Sequence, residues 1–174
     1  MLVSLPYWLV ALWVLVCGGY DMAQRRIPNS LTFGAQAAAL AVYVVTGQGW
    51  LGLSLTAGMA GWASALAITL PGYLFKKLGA GDVKLFAAIG LLGGVDGVLS
   101  TFVVAGLLVG MTALLWMAAY RWFPLLAVPL SRLGIFIEAV PSPKGKFLPF
   151  GSTLAAGFLL TLLDLGSGFT PLLF

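Results

Sequence analysis

The run from Val98 to Tyr120 holds no charged residue and is built mostly from Leu, Val, Ala, Gly, Met and aromatic side chains. A helix needs about 20 such residues to cross the roughly 30 Å hydrocarbon core of a bilayer. Runs of the same kind recur at Leu2 to Tyr20, Leu31 to Thr46, Leu51 to Phe75 and Phe147 to Leu163, with a shorter one from Val83 to Val95. Lipid offers no partner for an unpaired backbone N–H or C=O, so such runs are expected as helices. Composition agrees. The chain is 61% hydrophobic and 8% charged, with a mean hydropathy of +1.06, against about 45–50% and about 25% in a soluble domain. The expectation is an all-α, polytopic membrane protein with about six transmembrane helices, forming one domain over residues 1–174 with no separate soluble domain.

Histidine is absent, and the single cysteine, Cys17, lies inside an apolar run. This excludes His-based catalysis, His metal sites, an internal disulfide and a Cys-x-x-Cys zinc site. No metal or other cofactor is expected. The net charge of +4 is read as a topology signal rather than as affinity for nucleic acid, because Lys and Arg gather in cytoplasmic loops of membrane proteins. The N-terminus lacks the charged start and small-residue cleavage site of a signal peptide, so its apolar run is expected to be kept as a span.

Six spans sort the charges cleanly. Arg25 and Arg26 fall in the first loop, Lys76, Lys77 and Lys84 in the third, and Arg121, Arg132, Lys144 and Lys146 in the fifth, while Asp96 and Asp164 fall on the other side. The positive-inside rule then puts these three loops in the cytoplasm and both termini outside. A seventh span would break that sorting. Arg121 to Lys146, interrupted by Pro124, Pro129, Arg132 and Glu138, is therefore expected to be interfacial or re-entrant. Pro71-Gly72 is expected to kink the third helix or end it early. Gly106 and Gly110 have the spacing that lets helices approach closely. The run from Val83 reaches Asp96 and Gly97 after only about 20 Å of helix, which draws Asp82 to the bilayer boundary.

Asp21 closes the first apolar run and opens a polar loop to Ser30; Asp82 stands in the island Lys76 to Lys84. A single aspartate near a boundary is commonly a solvated loop residue or a helix cap. These two share a face and a depth, where ionisable side chains are costly and usually functional. Two carboxylates a few ångströms apart cannot both ionise cheaply, so one pKa rises and the other falls, and they titrate as a unit. One can then act as general base on water while the other protonates the carbonyl or leaving amine. Gly79 and Gly81 are read as permitting unusual backbone turns and close approach of a substrate strand. Pro28, in Ile27-Pro28-Asn29, fits the start of the second span. Lys84 is read chiefly as a topology marker; with Gly79, Gly81, Pro28 and Asn29 it forms a wider set of substrate-contacting or loop-supporting candidates.

The two aspartate motifs resemble those of the type IV prepilin peptidases, membrane aspartic proteases of the GxGD type. Asp21-Met-Ala-Gln-Arg-Arg-Ile-Pro-Asn29 resembles the family's first-aspartate motif, and Gly79-Ala-Gly-Asp82-Val-Lys-Leu85 its G-x-G-D-x-K-L motif. Leu148-Pro-Phe-Gly151 is similar to a later Pro-Phe-Gly-Pro stretch, with Ser152 in place of the final Pro; it is not expected to be catalytic. The resemblance implies that Asp21 and Asp82 are the catalytic pair. It implies a prepilin or pseudopilin substrate, with a basic leader and a hydrophobic helix, cut at the cytoplasmic boundary of a bacterial inner membrane. Large family members carry a paired Cys-x-x-Cys domain after the first span, associated with N-methylation; this chain has only Asp21 to Ser30 there. It resembles the short, peptidase-only form of tight-adherence (Flp) pilus systems, without methyltransferase activity.

Membrane lipid is an expected partner, through Arg25, Arg26, Lys76 and Lys77, and a homo-oligomer is compatible with the sequence. Two other classes compete. A non-enzymatic membrane subunit of a pilus or secretion assembly would use the acids as interface residues. A small transporter would carry acids or broken helices near the bilayer midplane, whereas these acids lie at one edge.

Overall fold

The computed structural model describes residues 5–132 and 150–167, with side chains at all but 123–132 and 164–167. It is all-helical over the described residues: α1 (Leu5–Gln24), α2 (Asn29–Thr46), α3 (Leu55–Leu74), α4 (Ala80–Arg132) and α5 (Phe150–Ser167). The chain divides into two units, residues 1–106 with 149–174, and residues 107–148.

The first unit is built around the start of α4. From Leu85 to Leu92 every residue is buried, so this stretch is enclosed on all sides, as an all-apolar helix requires. Val14 and Cys17 of α1, Tyr43 of α2, Ala65 of α3 and Leu154 and Phe158 of α5 join it in the core. The outer faces remain apolar: Trp8, Leu12 and Leu15 of α1 and Val44 and Val45 of α2 are exposed, as lipid-facing surfaces are. Leu5–Gln24 and Ala80–Trp122 are long and apolar enough to cross a membrane, and Phe150–Leu163 is a shorter apolar helix.

Helix α4 is broken at Gly94, where φ is 67° and ψ is −167°, a backbone region essentially confined to glycine. The chain doubles back there. Phe86 and Phe102 lie equally far from Gly94 in sequence, and their ring centroids are 6.2 Å apart; along an unbroken helix they would be about 24 Å apart. The reversal interrupts the helical ladder and frees carbonyls of the incoming arm. The Tyr43 hydroxyl donates to one of them, the Leu91 C=O, at 3.0 Å. Across the same arm, Gly61 of α3 and Gly90 pack backbone against backbone. The break was expected at Asp96 and Gly97. Both are helical, because a polar residue does not end a helix that a left-handed glycine has already ended.

Other expectations need correction. Pro71 lies inside α3, which runs on to Leu74, so it does not end the helix early; its carbonyl still accepts from the Phe75 N–H at 3.0 Å. The third helix starts at Leu55 rather than Leu51, with Ser54 as its cap accepting from the Ala57 N–H. Gly106 and Gly110 face open space among the described residues. In the second unit the helix continues from 107 through Pro124 and Pro129 to Arg132. Leu107, Met111, Leu114, Leu115 and Trp122 are exposed. The remainder of the segment expected to be interfacial, with Lys144 and Lys146, lies outside the described residues, as does the side chain of Asp164.

Candidate active site

Short connections join the end of α1 to the start of α2 and the end of α3 to the start of α4. Contacts of Asp21 with Ser152, Gly81 with Ile27 and Lys84 with Asn29 bring these ends and the start of α5 together at one pole of the first unit. Asp21 lies in the last turn of α1 and not in the following loop, and it is 5% exposed. Its carbonyl accepts from the Arg25 N–H at 2.8 Å, and Arg25 takes a left-handed conformation with φ of 52° that ends the helix. Asp82 lies in the first turn of α4 and is half-buried.

Each carboxylate receives an amide from the start of a helix. The first N–H groups of a helix have no partner within it and favour negative charge. The Ser152 N–H, in the first turn of α5, donates to Asp21 Oδ2 at 2.7 Å. The Gly79 N–H donates to Asp82 Oδ2 at 3.2 Å, so Asp82 reaches back to cap its own helix.

Gly151 lies between the acids. A Cβ built on it would stand 2.9 Å from Asp21 Oδ2 and 2.9 Å from Asp82 Oδ1. Those two oxygens are therefore no more than twice that distance apart. Only the lack of a side chain at 151 lets the two carboxyl groups share this corner.

The sequence profile of the type IV leader peptidase family matches residues 8–114. The chain belongs to the type IV leader peptidase family. Comparison with curated proteins and with solved structures returns no match. The leader peptidase match takes in both aspartate motifs, and the structure brings them together. Gly81, in the first turn of α4, packs on Ile27, which is buried; a Cβ at 81 would lie 3.6 Å from the Ile27 nitrogen. Pro28 precedes α2, and its carbonyl accepts from Leu31 and Thr32. Lys84 Nζ donates to Asn29 Oδ1 at 3.0 Å. Lys84 thus binds a residue of the other motif, which goes beyond marking topology. Neither Gly79 nor Gly81 has a left-handed backbone. Their room is used by neighbours instead: the Asp82 carboxylate, 3.3 Å from a Cβ at 79, and Ile27 at 81.

Sequence reasoning set Gly151 and Ser152 aside as outside the chemistry, yet in this peptidase they are the residues of α5 that meet the acids. The available signal was Pro149-Phe150-Gly151 before an apolar run, a helix start whose free amides need an acceptor. The matched stretch ends before them.

Proposed function

We propose that this leader peptidase is an aspartic endopeptidase with Asp21 and Asp82 as its catalytic pair. The observation that carries the reading is the approach of both carboxylates to the single position 151. Acids this near one another cannot both ionise cheaply, so that one can activate water while the other, protonated, protonates the amide being cut. No metal, cysteine or histidine is needed for that chemistry.

The substrate is a prepilin or pseudopilin, and the cut falls at the cytoplasmic boundary of the bacterial inner membrane. The chain spans six times with both termini outside, counting the two arms of α4 separately. Arg25, Arg26, Lys76, Lys77 and Lys84 lie at the same pole as the aspartates, which supports a cytoplasmic site under the positive-inside rule. The short connection from α1 to α2 supports a peptidase without methyltransferase activity. The test is purified protein with a leader-bearing prepilin. Asp21→Asn and Asp82→Asn are each expected to insert and fold but to leave the leader uncut. Full cleavage by either variant overturns the pair.

A further inference from the structure

Lys84 follows Asp82 by two positions near the start of α4, so the two side chains leave the helix about 160° apart. Asp82 faces Asp21 and Gly151. Lys84 points the other way, to α2, where its ammonium donates to Asn29 Oδ1 at 3.0 Å and stands 4.7 Å from the centre of the Phe33 ring. The hydrogen bond is exposed, and the cation–π contact adds to it on the same ammonium, each a modest contribution at such a site. The backbone of the same residue is held as well. Gln36 Nε2 donates to the Lys84 carbonyl at 3.3 Å, and Trp62 Nε1 of α3 donates to Gln36 Oε1 at 3.1 Å.

These contacts meet where the chain leaves Asp21. From Arg25 it passes through buried Ile27, seated on Gly81, to Asn29 at the start of α2. The connection behind one acid is thus fastened at two points, Ile27 and Asn29, to the turn that carries the other. We infer that Lys84 is a positioning residue, whose hold on Asn29 and Phe33 keeps the end of α1 in register with the start of α4 and so sets the separation of Asp21 and Asp82. This rests on the pairing proposed above.

The test needs a readout independent of catalysis. A Cβ at Gly81 lies 3.7 Å from the Ile27 Cβ, within the span a disulfide bridges. In a Cys17→Ser background, an Ile27→Cys/Gly81→Cys pair reports the register as the fraction cross-linked on oxidation. Lys84→Met keeps the apolar stem and removes the donor; Asn29→Ala removes the acceptor. Each is expected to lower the cross-linked fraction. In the chain without the added cysteines, each is expected to lower kcat by about tenfold or more while KM stays within about twofold. The double variant should be no worse than the poorer single one, because the two residues make one interaction. Lys84→Arg, which keeps donor and cation, should restore both readouts. If Lys84→Met does not fold, Asn29→Ala gives the same reading from the other partner. Wild-type cross-linking in Lys84→Met and Asn29→Ala overturns the inference, as does an additive double variant. Because cross-linking requires no substrate, its outcome is separate from that of the Asp→Asn variants.

Discussion

Ser152 and Asp21 stand 131 positions apart in the chain, and the backbone N–H of the first lies 2.7 Å from Oδ2 of the second. The first turn of α5 therefore holds an acid carried by α1. Packing reinforces the contact, since a Cβ at Gly18 of α1 would come within 2.9 Å of the Ala155 Cβ on α5. Three helices thus contribute to the acidic pair, two by carrying an aspartate and one by supplying an amide and a bare Cα.

Gly151→Ala should disable the enzyme with both acids still present. Its methyl would lie 2.9 Å from Asp21 Cγ and Oδ2 and from Asp82 Oδ1, too close for non-bonded atoms, so the carboxyl groups must separate. A displacement of about 1 Å at reacting groups costs on the order of a hundredfold in rate, and overpacking costs about 1–3 kcal/mol. Turnover of a leader-bearing substrate and thermal denaturation in detergent measure the two effects. Activity within about twofold of wild type would show that the pair tolerates the methyl.

Asp82 should separate catalysis from stability. Its Oδ2 accepts from the Gly79 N–H, a bond that an asparagine oxygen can keep and an alanine cannot. Asp82→Asn and Asp82→Ala should both be inactive, but only the alanine variant should lose about 1 kcal/mol, the usual worth of a helix cap. Equal melting points for the two variants would remove the capping role.

Gly94→Ala should destabilise the protein and Gly97→Ala should not. At Gly94 the backbone has φ of 67° and ψ of −167°, and a Cβ would lie 3.3 Å from Leu53 Cδ1; strain of this kind costs about 1–3 kcal/mol. Gly97 is helical with room for a methyl 4.0 Å from Phe158 Cε2, so alanine there is expected to be neutral or to stabilise by up to about 1 kcal/mol. Denaturation midpoints of the two variants give the comparison.

The aspartate motifs were legible in the sequence because each interrupts an apolar run, and in such a run a carboxylate stands out whatever the tertiary structure. The helices were legible for the same reason, since length and hydropathy suffice in lipid. What stayed hidden depends on proximity. Gly151 could be read from the sequence only as part of a helix start; its importance comes from what lies 2.9 Å away. The reversal at Gly94 was masked by the more polar Asp96-Gly97 that follows, and α3 runs on for only three residues past Pro71, to Leu74. The partnership of Lys84 with Asn29 crosses 55 positions, a distance at which charge sorting alone carries no information.

The incoming arm of α4, from Ala80 to the turn at Gly94, has a further consequence. Its length is about 21 Å, against a hydrocarbon core of roughly 30 Å. The other helices of the first unit, not lipid, surround so short a rod, since every residue from Leu85 to Leu92 is buried. Cutting a peptide bond consumes a molecule that oil excludes. A shortfall at the acid-bearing end of an undersized central rod would let water reach Asp82, the reagent that the surrounding medium withholds.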